Sequence, residues 1–194
     1  MKSKISKILI TVGLLICVGS LSIKGYSKYL ENKSTKSFEE KIDKNAKESK
    51  EDDFTNVKAG DEIAIINIPS IKLNTVVVES IEKQYLNHYV CHFENTAMPG
   101  EYGNFSLAGH SSYRYNEVFN ELHKINLDDE IIIKTLNNEF TYVVKDIFEV
   151  NPEDTFVLDQ DNEIKELTIV TCTNKGKDLS LIHISEPTRR VVIS

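Results

Sequence analysis

The 194-residue chain has two residues suited to nucleophilic chemistry, and each closes an apolar segment. Cys172 follows the apolar run 167–171, and His110 follows the run 105–109. Both runs are typical of β-strands that end in polar loops. If the two strand ends meet, the thiol can act as a nucleophile and the imidazole as its acid–base partner. Either residue alone is more typical of a structural position, so it is the pair that predicts an enzyme.

The other cysteines do not suggest a metal centre or a disulfide framework. Cys17, Cys91 and Cys172 lie far apart, without a Cys-x-x-Cys pair or zinc-type spacing. Cys91 precedes His92, but neighbours in sequence are not thereby a catalytic pair in space. The acidic residues do not complete the Asp-x-Asp/Asn-x-Asp/Asn-Gly pattern typical of a calcium-binding loop. The sequence therefore predicts a free, reactive thiol and neither a metal nor a cofactor.

Composition limits the class of protein. The length is that of one domain with extensions, and 40% of the residues are hydrophobic, which is enough for a core. The formal net charge is -7, and no stripe of Lys and Arg with interleaved aromatic residues is present. Because a phosphate-binding surface needs clustered basic residues, nucleic acid is not a predicted partner.

The N-terminus has the pattern of a membrane anchor. Three lysines precede the run Ile8–Ile23, which carries no charge. A span needs roughly 20 residues, and flanking lysines can extend this one to residues 5–26 by reaching the headgroups. We expect an uncleaved, single-pass signal anchor over residues 1–27, with all later residues extracytoplasmic. The alternative is a signal peptide cleaved near Gly19–Ser22.

The rest of the chain divides into a polar segment and a β domain. Residues 28–56 are dense in charged and polar side chains, which predicts a solvated stalk. The alternative is a partly helical segment, since Phe38, Ile42 and Ala46 fall four apart. From residue 57 to 178, short β-branched runs alternate with turn signals, which predicts an all-β sandwich or barrel. One helix is predicted over 116–123, where three apolar residues share a face.

Four segments between residues 60 and 178 resemble, in order and spacing, the sortase family of Gram-positive bacteria. The continuation Ser111–Arg114 and the simple anchor are most similar to class D, with class A the nearest rival. The four segments are Ile66–Ile71, similar to an early Ile-x-Ile-Pro strand; His92–Gly100, similar to a stretch leading to Pro-Gly; Gly103–His110, similar to the segment with the catalytic histidine; and Leu167–Cys172, similar to Thr-Leu-x-Thr-Cys with Ile169 for the usual leucine.

This resemblance implies an eight-stranded β-barrel and a transpeptidation at the cell surface. The substrates would be surface proteins that carry a C-terminal sorting signal of Leu-Pro-x-Thr-Gly or Leu-Pro-x-Thr-Ala type. Cys172 would form an acyl-thioester with the substrate. His110 would transfer the protons, and an amine of a cell-wall precursor would release the product.

The family also uses an arginine on the strand after the cysteine to hold the substrate and the oxyanion. Arg190 has that place in the sequence, with Arg189 next. However, Leu179–Arg189 resembles the in-frame translation of a common transposase-type sequencing adapter, and Ile193–Ser194 fits the constant segment after its barcode. We therefore expect residues 179–194 to be a library artefact, and the last strand with its arginine to be missing or replaced.

Two other classes of protein fit parts of the pattern. One is a different Cys-His cell-wall enzyme, either a hydrolase or an L,D-transpeptidase, although the Ser-x-Gly-Cys pattern of the latter is absent. The other is a membrane-anchored β domain without catalytic activity that serves adhesion. A truncated sortase domain would also be inactive or unstable, because loss of a barrel strand leaves two unpaired edges.

The adapter hypothesis makes a direct genetic prediction. Sequencing of the locus from genomic DNA, without transposase-based library preparation, should show different codons after Asp178. The new codons should encode a β-strand with an arginine. Recovery of the Leu179–Ser194 codons from the chromosome would show that the hypothesis is wrong and that the segment is a genuine, unusual end of the domain.

Overall fold

A computed structural model describes residues 2–45, 51–111, 118–151, 153–172 and 179–190. In the last of these ranges, and at several positions of the N-terminal helix that include residues 17–21, the backbone alone is described.

Within these ranges the chain folds into a barrel of eight strands, in the order β1-β2-β3-β4-β7-β8-β6-β5, and β5 pairs with β1 to close it. The predicted β-barrel is therefore confirmed. Most neighbouring strands are antiparallel, but β2 pairs with β3 and β4 pairs with β7 in parallel. The strands are β1 Glu62–Ile68, β2 Leu73–Glu79, β3 Val90–His92, β4 Gly103–Ala108, β5 Glu130–Lys134, β6 Glu139–Val150, β7 Lys165–Cys172 and β8 Leu179–Arg190.

The barrel interior is filled by alternate side chains of the strands. Phe105 and Leu107 of β4 and Leu167 and Ile169 of β7 belong to one fully buried apolar cluster. Because successive side chains of a strand point to opposite faces, the residues between them lie on the outer face. β4 is nevertheless buried along its whole length, since other segments of the chain cover that outer face.

Residues of the suspected artefact occupy the final strand position of the barrel, so the expectation that the native last strand is missing or replaced stays a prediction. The backbone of Leu179–Arg190 forms β8 and pairs with both β6 and β7. This position closes the gap that two unpaired edges would otherwise leave. The origin of residues 179–194 stays a prediction.

The N-terminal helix α1 extends over Lys2–Asn45, and its second half differs from the predicted solvated stalk. Phe38 is 1% exposed and packs against β1 and β2, in a cluster with Ile65, Val76 and Val78. The hydroxyl of Thr35 accepts a hydrogen bond from the Val76 N–H at 3.1 Å. Apolar side chains four positions apart on one helical face explain this docking.

The sequence predicts a membrane anchor over residues 1–27, and α1 begins within that range. Among the described residues, however, no helix combines the length and the apolar character that are needed to cross a membrane.

The helix predicted over 116–123 is only partly testable. Residues 112–117 lie outside the described ranges, residues 118–121 form turns, and Leu122–Lys124 form a 3₁₀-helix. The three apolar residues that predicted the helix, Val118, Phe119 and Leu122, are all buried in the barrel core.

Candidate active site

The carboxyl ends of β4 and β7 lie side by side at one end of the barrel. The parallel ladder runs from Gly103 opposite Lys165 to Ala108 opposite Val170. His110 lies two residues beyond β4's last paired residue, and Cys172 lies two residues beyond the same point on β7. The structure therefore brings the two candidate catalytic residues to the same end of neighbouring parallel strands.

Three hydrogen bonds hold these strand ends together beyond the ladder. The Gly109 N–H donates to the Val170 carbonyl at 3.2 Å. The Thr171 hydroxyl donates to the Gly109 carbonyl at 2.8 Å. The Ser111 hydroxyl donates to the Cys172 carbonyl at 2.5 Å. His110 and Cys172 thus lie between cross-strand bonds on either side.

The loop that carries His110 is fixed from behind by Phe119. The Phe119 N–H donates to the His110 carbonyl at 3.0 Å, and the Phe119 side chain is buried. A Cβ atom added to Gly109 would lie 2.5 Å from the Phe119 ring, so this approach requires a glycine. Burial lowers the pKa of the half-buried His110 ring from its ordinary value of 6.5.

The two cysteines whose side chains the structure describes have opposite environments. Cys172 is exposed, whereas Cys91 is fully buried on β3. Burial, followed by the nearby charge of Glu79, raises the pKa of the Cys91 thiol to about 12. A thiol with so high a pKa is a poor nucleophile at neutral pH, since the thiolate is the reactive species. Cys172 is therefore the better placed nucleophile.

His92, the sequence neighbour of Cys91, has a structural environment. Its side chain is buried, and its Nδ1 atom lies 2.6 Å from a carboxylate oxygen of Glu79. On its other side, Nε2 lies 2.9 Å from the Thr96 hydroxyl and 3.1 Å from the Ala97 carbonyl. These contacts anchor the connection between β3 and β4. They do not involve the strand ends that carry His110 and Cys172.

The β6–β7 connection is fastened onto the outer face of β4 by two amide side chains. Asn104 donates to the Val157 carbonyl at 2.9 Å. Gln160 accepts from the Ala97 and Asn104 N–H groups and donates to the Asn104 and Leu158 carbonyls. The 3₁₀-helix Phe156–Leu158 is thereby held beside β7, where Val157 packs against Val170.

The sequence analysis assigned no role in the site to Ser111, Thr171, Asn104 or Gln160. Ser111 and Thr171 each adjoin a predicted catalytic residue, and hydroxyl-bearing residues at strand ends often bond to backbone groups. That signal could have drawn attention to them. No sequence signal indicates which backbone group Asn104 or Gln160 would reach, because their partners lie more than 50 residues away or on another segment.

The prediction of Arg190 as a catalytic residue is not supported by the strand register. Leu179 is the β8 residue opposite Cys172, whereas Arg190 lies opposite Glu139 and Arg189 opposite Phe140. At the rise per residue of an extended strand, Arg190 lies about 36 Å along β8 from Leu179, the residue that pairs with Cys172. Antiparallel pairing carries the end of β8 away from the carboxyl end of β7, so neither arginine is brought to Cys172.

The protein is thus a closed β-barrel with a thiol and an imidazole at the ends of adjacent parallel strands. The sequence model of the sortase domain matches residues 66–193. Because this match covers well over half of the chain, the protein belongs to the sortase family. The resemblance seen in the sequence motifs is thereby confirmed.

Similar proteins include members of both expected classes. Sortase A of Bacillus anthracis is 33% identical over 113 residues, which is 58% of this chain and 52% of the relative. Sortase D of Bacillus subtilis is 27% identical over 115 residues, which is 59% of this chain and 56% of the relative. The chain thus spans about half the length of these sequence relatives.

Solved structures show the same fold. The Sortase D5 transpeptidase of Clostridium perfringens has a TM-score of 0.72 and 41% identity, and the alignment covers 82% of this chain and 99% of that one. The sortase C of Clostridium perfringens, solved with the C-terminal cell wall sorting motif, has a TM-score of 0.64 and 20% identity, covering 88% and 98%. The second likeness shows the fold alone.

The lowered pKa of His110 predicts a pH dependence of stability. Between the lowered folded pKa and 6.5, the unfolded chain binds more protons than the folded one, so stability falls as the pH falls through this window. We expect the free energy of unfolding of the wild-type protein to decrease more from pH 7 to pH 5 than that of His110→Gln. Urea denaturation of the full chain measures both curves.

Because the carboxylates titrate in both proteins, the difference between the two curves isolates the histidine. Parallel curves for the wild-type protein and His110→Gln would contradict the prediction. A variant curve that falls more steeply toward acid than the wild-type curve would also contradict it.

Proposed function

We propose that this protein is a cysteine transpeptidase of the sortase type, acting on surface proteins with a C-terminal sorting signal of Leu-Pro-x-Thr-Gly or Leu-Pro-x-Thr-Ala type. The observation that carries this proposal is that the exposed Cys172 thiol and the half-buried His110 lie at the same end of neighbouring parallel strands. The likeness to a Sortase D5 transpeptidase supports it and favours class D.

In the first half of the reaction, the Cys172 thiolate attacks the carbonyl carbon of the threonine of the sorting signal. The peptide bond breaks, a thioester forms, and His110 gives its proton to the departing amine. Exposure of the thiol permits this attack, since a peptide can approach an exposed sulfur directly. The pKa of His110 is lowered by burial, which makes its conjugate acid a better proton donor.

In the second half, an amine of a cell-wall precursor attacks the thioester. Neutral His110 accepts the proton from this amine, and the Cys172 thiolate leaves as the new amide bond forms. The peptide chain is thus transferred from one amine to another without net hydrolysis. Water in place of the amine would give the hydrolysis that a thiol protease performs.

The β6–β7 connection forms a wall over the outer face of β4 and β7. The 3₁₀-helix Phe156–Leu158 lies along β7, and the Phe156 side chain is exposed. Asn104 and Gln160 fasten this segment to β4. An extended peptide lying over β4 and β7 toward Cys172 would meet this wall, which would contribute to the selection of the sorting signal.

Activity measurements on the full chain test this proposal. Cys172→Ala should abolish cleavage of a sorting-signal peptide and the thioester adduct seen by mass spectrometry. His110→Ala should reduce kcat by about 10²- to 10⁴-fold, the usual contribution of a positioned acid–base group. Cys91→Ala and His123→Gln serve as matched controls and should stay close to wild type, since Cys91 is buried and His123 bonds to the Asn120 carbonyl within its own turn.

Other outcomes would favour other functions. Cleavage of a cell-wall stem peptide, with none of a sorting-signal peptide, would favour a different Cys-His cell-wall enzyme. Normal anchoring of surface proteins in cells that carry only Cys172→Ala would favour a non-catalytic adhesion domain.

The proposal includes a single-pass membrane anchor over residues 5–26, with the barrel on the extracytoplasmic side. Large apolar side chains of α1 that include Ile8, Leu9, Leu14 and Leu15 are more than 60% exposed, so the barrel does not cover them. A bilayer is the environment that such a surface favours. Lysines before the run fit the cytoplasmic side, where positive charge is enriched.

Charge introduced into the apolar run tests the anchor. Each lysine at the centre of a span costs about 3 kcal/mol on insertion scales, so Leu14→Lys with Leu15→Lys should release the protein from carbonate-washed membranes. Tyr29→Lys, outside the run, is the matched control and should stay bound. Release of the wild-type protein by carbonate, or retention of the double variant, would contradict the anchor.

A further inference from the structure

The backbone pairing of β4 and β7 stops just before the two reacting residues. The last pair of the ladder is Ala108 with Val170, and the last backbone hydrogen bond joins the Gly109 N–H to the Val170 carbonyl. His110 and Cys172 come after this point. Strands beyond their last shared hydrogen bond can separate, so something else must set the spacing of the two residues.

Side-chain hydroxyls replace the ladder there. Thr171 bonds back to the Gly109 carbonyl, one residue before the histidine. Ser111 bonds forward to the carbonyl of Cys172 itself, at 2.5 Å. The Ser111 hydrogen bond therefore joins the two strand ends beyond the ladder. It links the residue after His110 to the peptide group of Cys172.

The other backbone contacts of the pair lead to different parts of the fold. On its far edge, Cys172 pairs with Leu179 of β8. The His110 carbonyl accepts from the Phe119 N–H, in the segment that fills the core behind the loop. These contacts hold each residue separately. The Ser111 hydroxyl instead links the loop of His110 directly to the peptide group of Cys172.

We propose that Ser111 is a positioning residue, whose hydroxyl sets the direction of the Cys172 side chain relative to His110 by holding the Cys172 carbonyl. Fixing that carbonyl restricts rotation about the Cα–C bond of Cys172 and so orients the Cα–Cβ bond that carries the thiol. Ser111 makes and breaks no bond with the substrate. Small errors in the geometry of reacting groups cost rate more than binding, so its loss affects kcat.

The kinetic part of this inference rests on the proposed transpeptidase function, but the reactivity of the thiol does not. A thiolate that accepts a hydrogen bond from an imidazole N–H is stabilised, so the pH midpoint for alkylation of Cys172 reports the geometry of the pair without any peptide substrate. Peptide mapping by mass spectrometry after iodoacetamide treatment assigns the modification to Cys172. Buried Cys91 does not compete, since its pKa is raised to about 12.

The experiment compares Ser111→Ala, Ser111→Thr and Ser37→Ala in the full chain. Ser37 is an exposed serine on α1, away from the strand ends, and serves as the matched control. We expect Ser111→Ala to lower kcat about fivefold with KM unchanged within about twofold, as loss of one neutral hydrogen bond predicts. Its alkylation midpoint should move to higher pH. Ser111→Thr, which keeps the hydroxyl, and Ser37→Ala should match wild type.

Two results would overturn the inference. The first is a folded Ser111→Ala protein with the kcat and alkylation profile of wild type. The second is a folded Ser111→Thr protein as impaired as Ser111→Ala, because the bulk of the side chain rather than its hydroxyl would then matter. If the wild-type protein cleaves no sorting-signal peptide, the proposed function fails, while the alkylation midpoints still decide the role of Ser111.

Discussion

Parallel pairing of β4 with β7 is the constraint on which the site depends. Two parallel neighbours end at the same edge of the sheet, so residues after both strands share one end of the barrel. An antiparallel pair in the same places would put His110 and Cys172 at opposite ends. Parallel strands also need a crossover, which here consists of β5, β6 and their connections. These elements close the barrel and cover the outer face of β4, so one requirement explains both the topology and the burial around the pair.

The sequence was most informative where one local signal defines a residue's place. Cys172 and His110 each follow an apolar run, and the motifs around them established the family and the barrel. The partners of those strands could not be predicted from the residues alone, because the ladder joins positions about 60 residues apart. Arg190 was predicted from its place after the cysteine, but antiparallel register carries it toward the other end of β8. Register is a property of the paired strands and is invisible in one segment.

Helix α1 shows how composition can conceal a packed element. Charged residues dominate its second half, which is why the sequence predicted a solvated stalk. Among the described residues of this half, a narrow face makes the contact: Phe38 packs in the cluster with Ile65, Val76 and Val78, and Thr35 hydrogen-bonds to β2. Lys41 reaches Glu62 beside this face at 2.8 Å. A helix that packs on one side needs few apolar residues, so the average polarity of a segment does not decide whether it docks.

The long separation between the two halves of the site has a consequence for how the protein matures. Gly109 and Thr171, which clasp the strand ends, are 62 positions apart. Contacts of such high sequence separation form late in folding, because a long loop must close before they are made. Most of the barrel can therefore acquire local structure before the thiol meets its imidazole. In a newly synthesised chain, the thiol and the imidazole would stay apart until the architecture is nearly complete, so that their proximity itself reports successful folding.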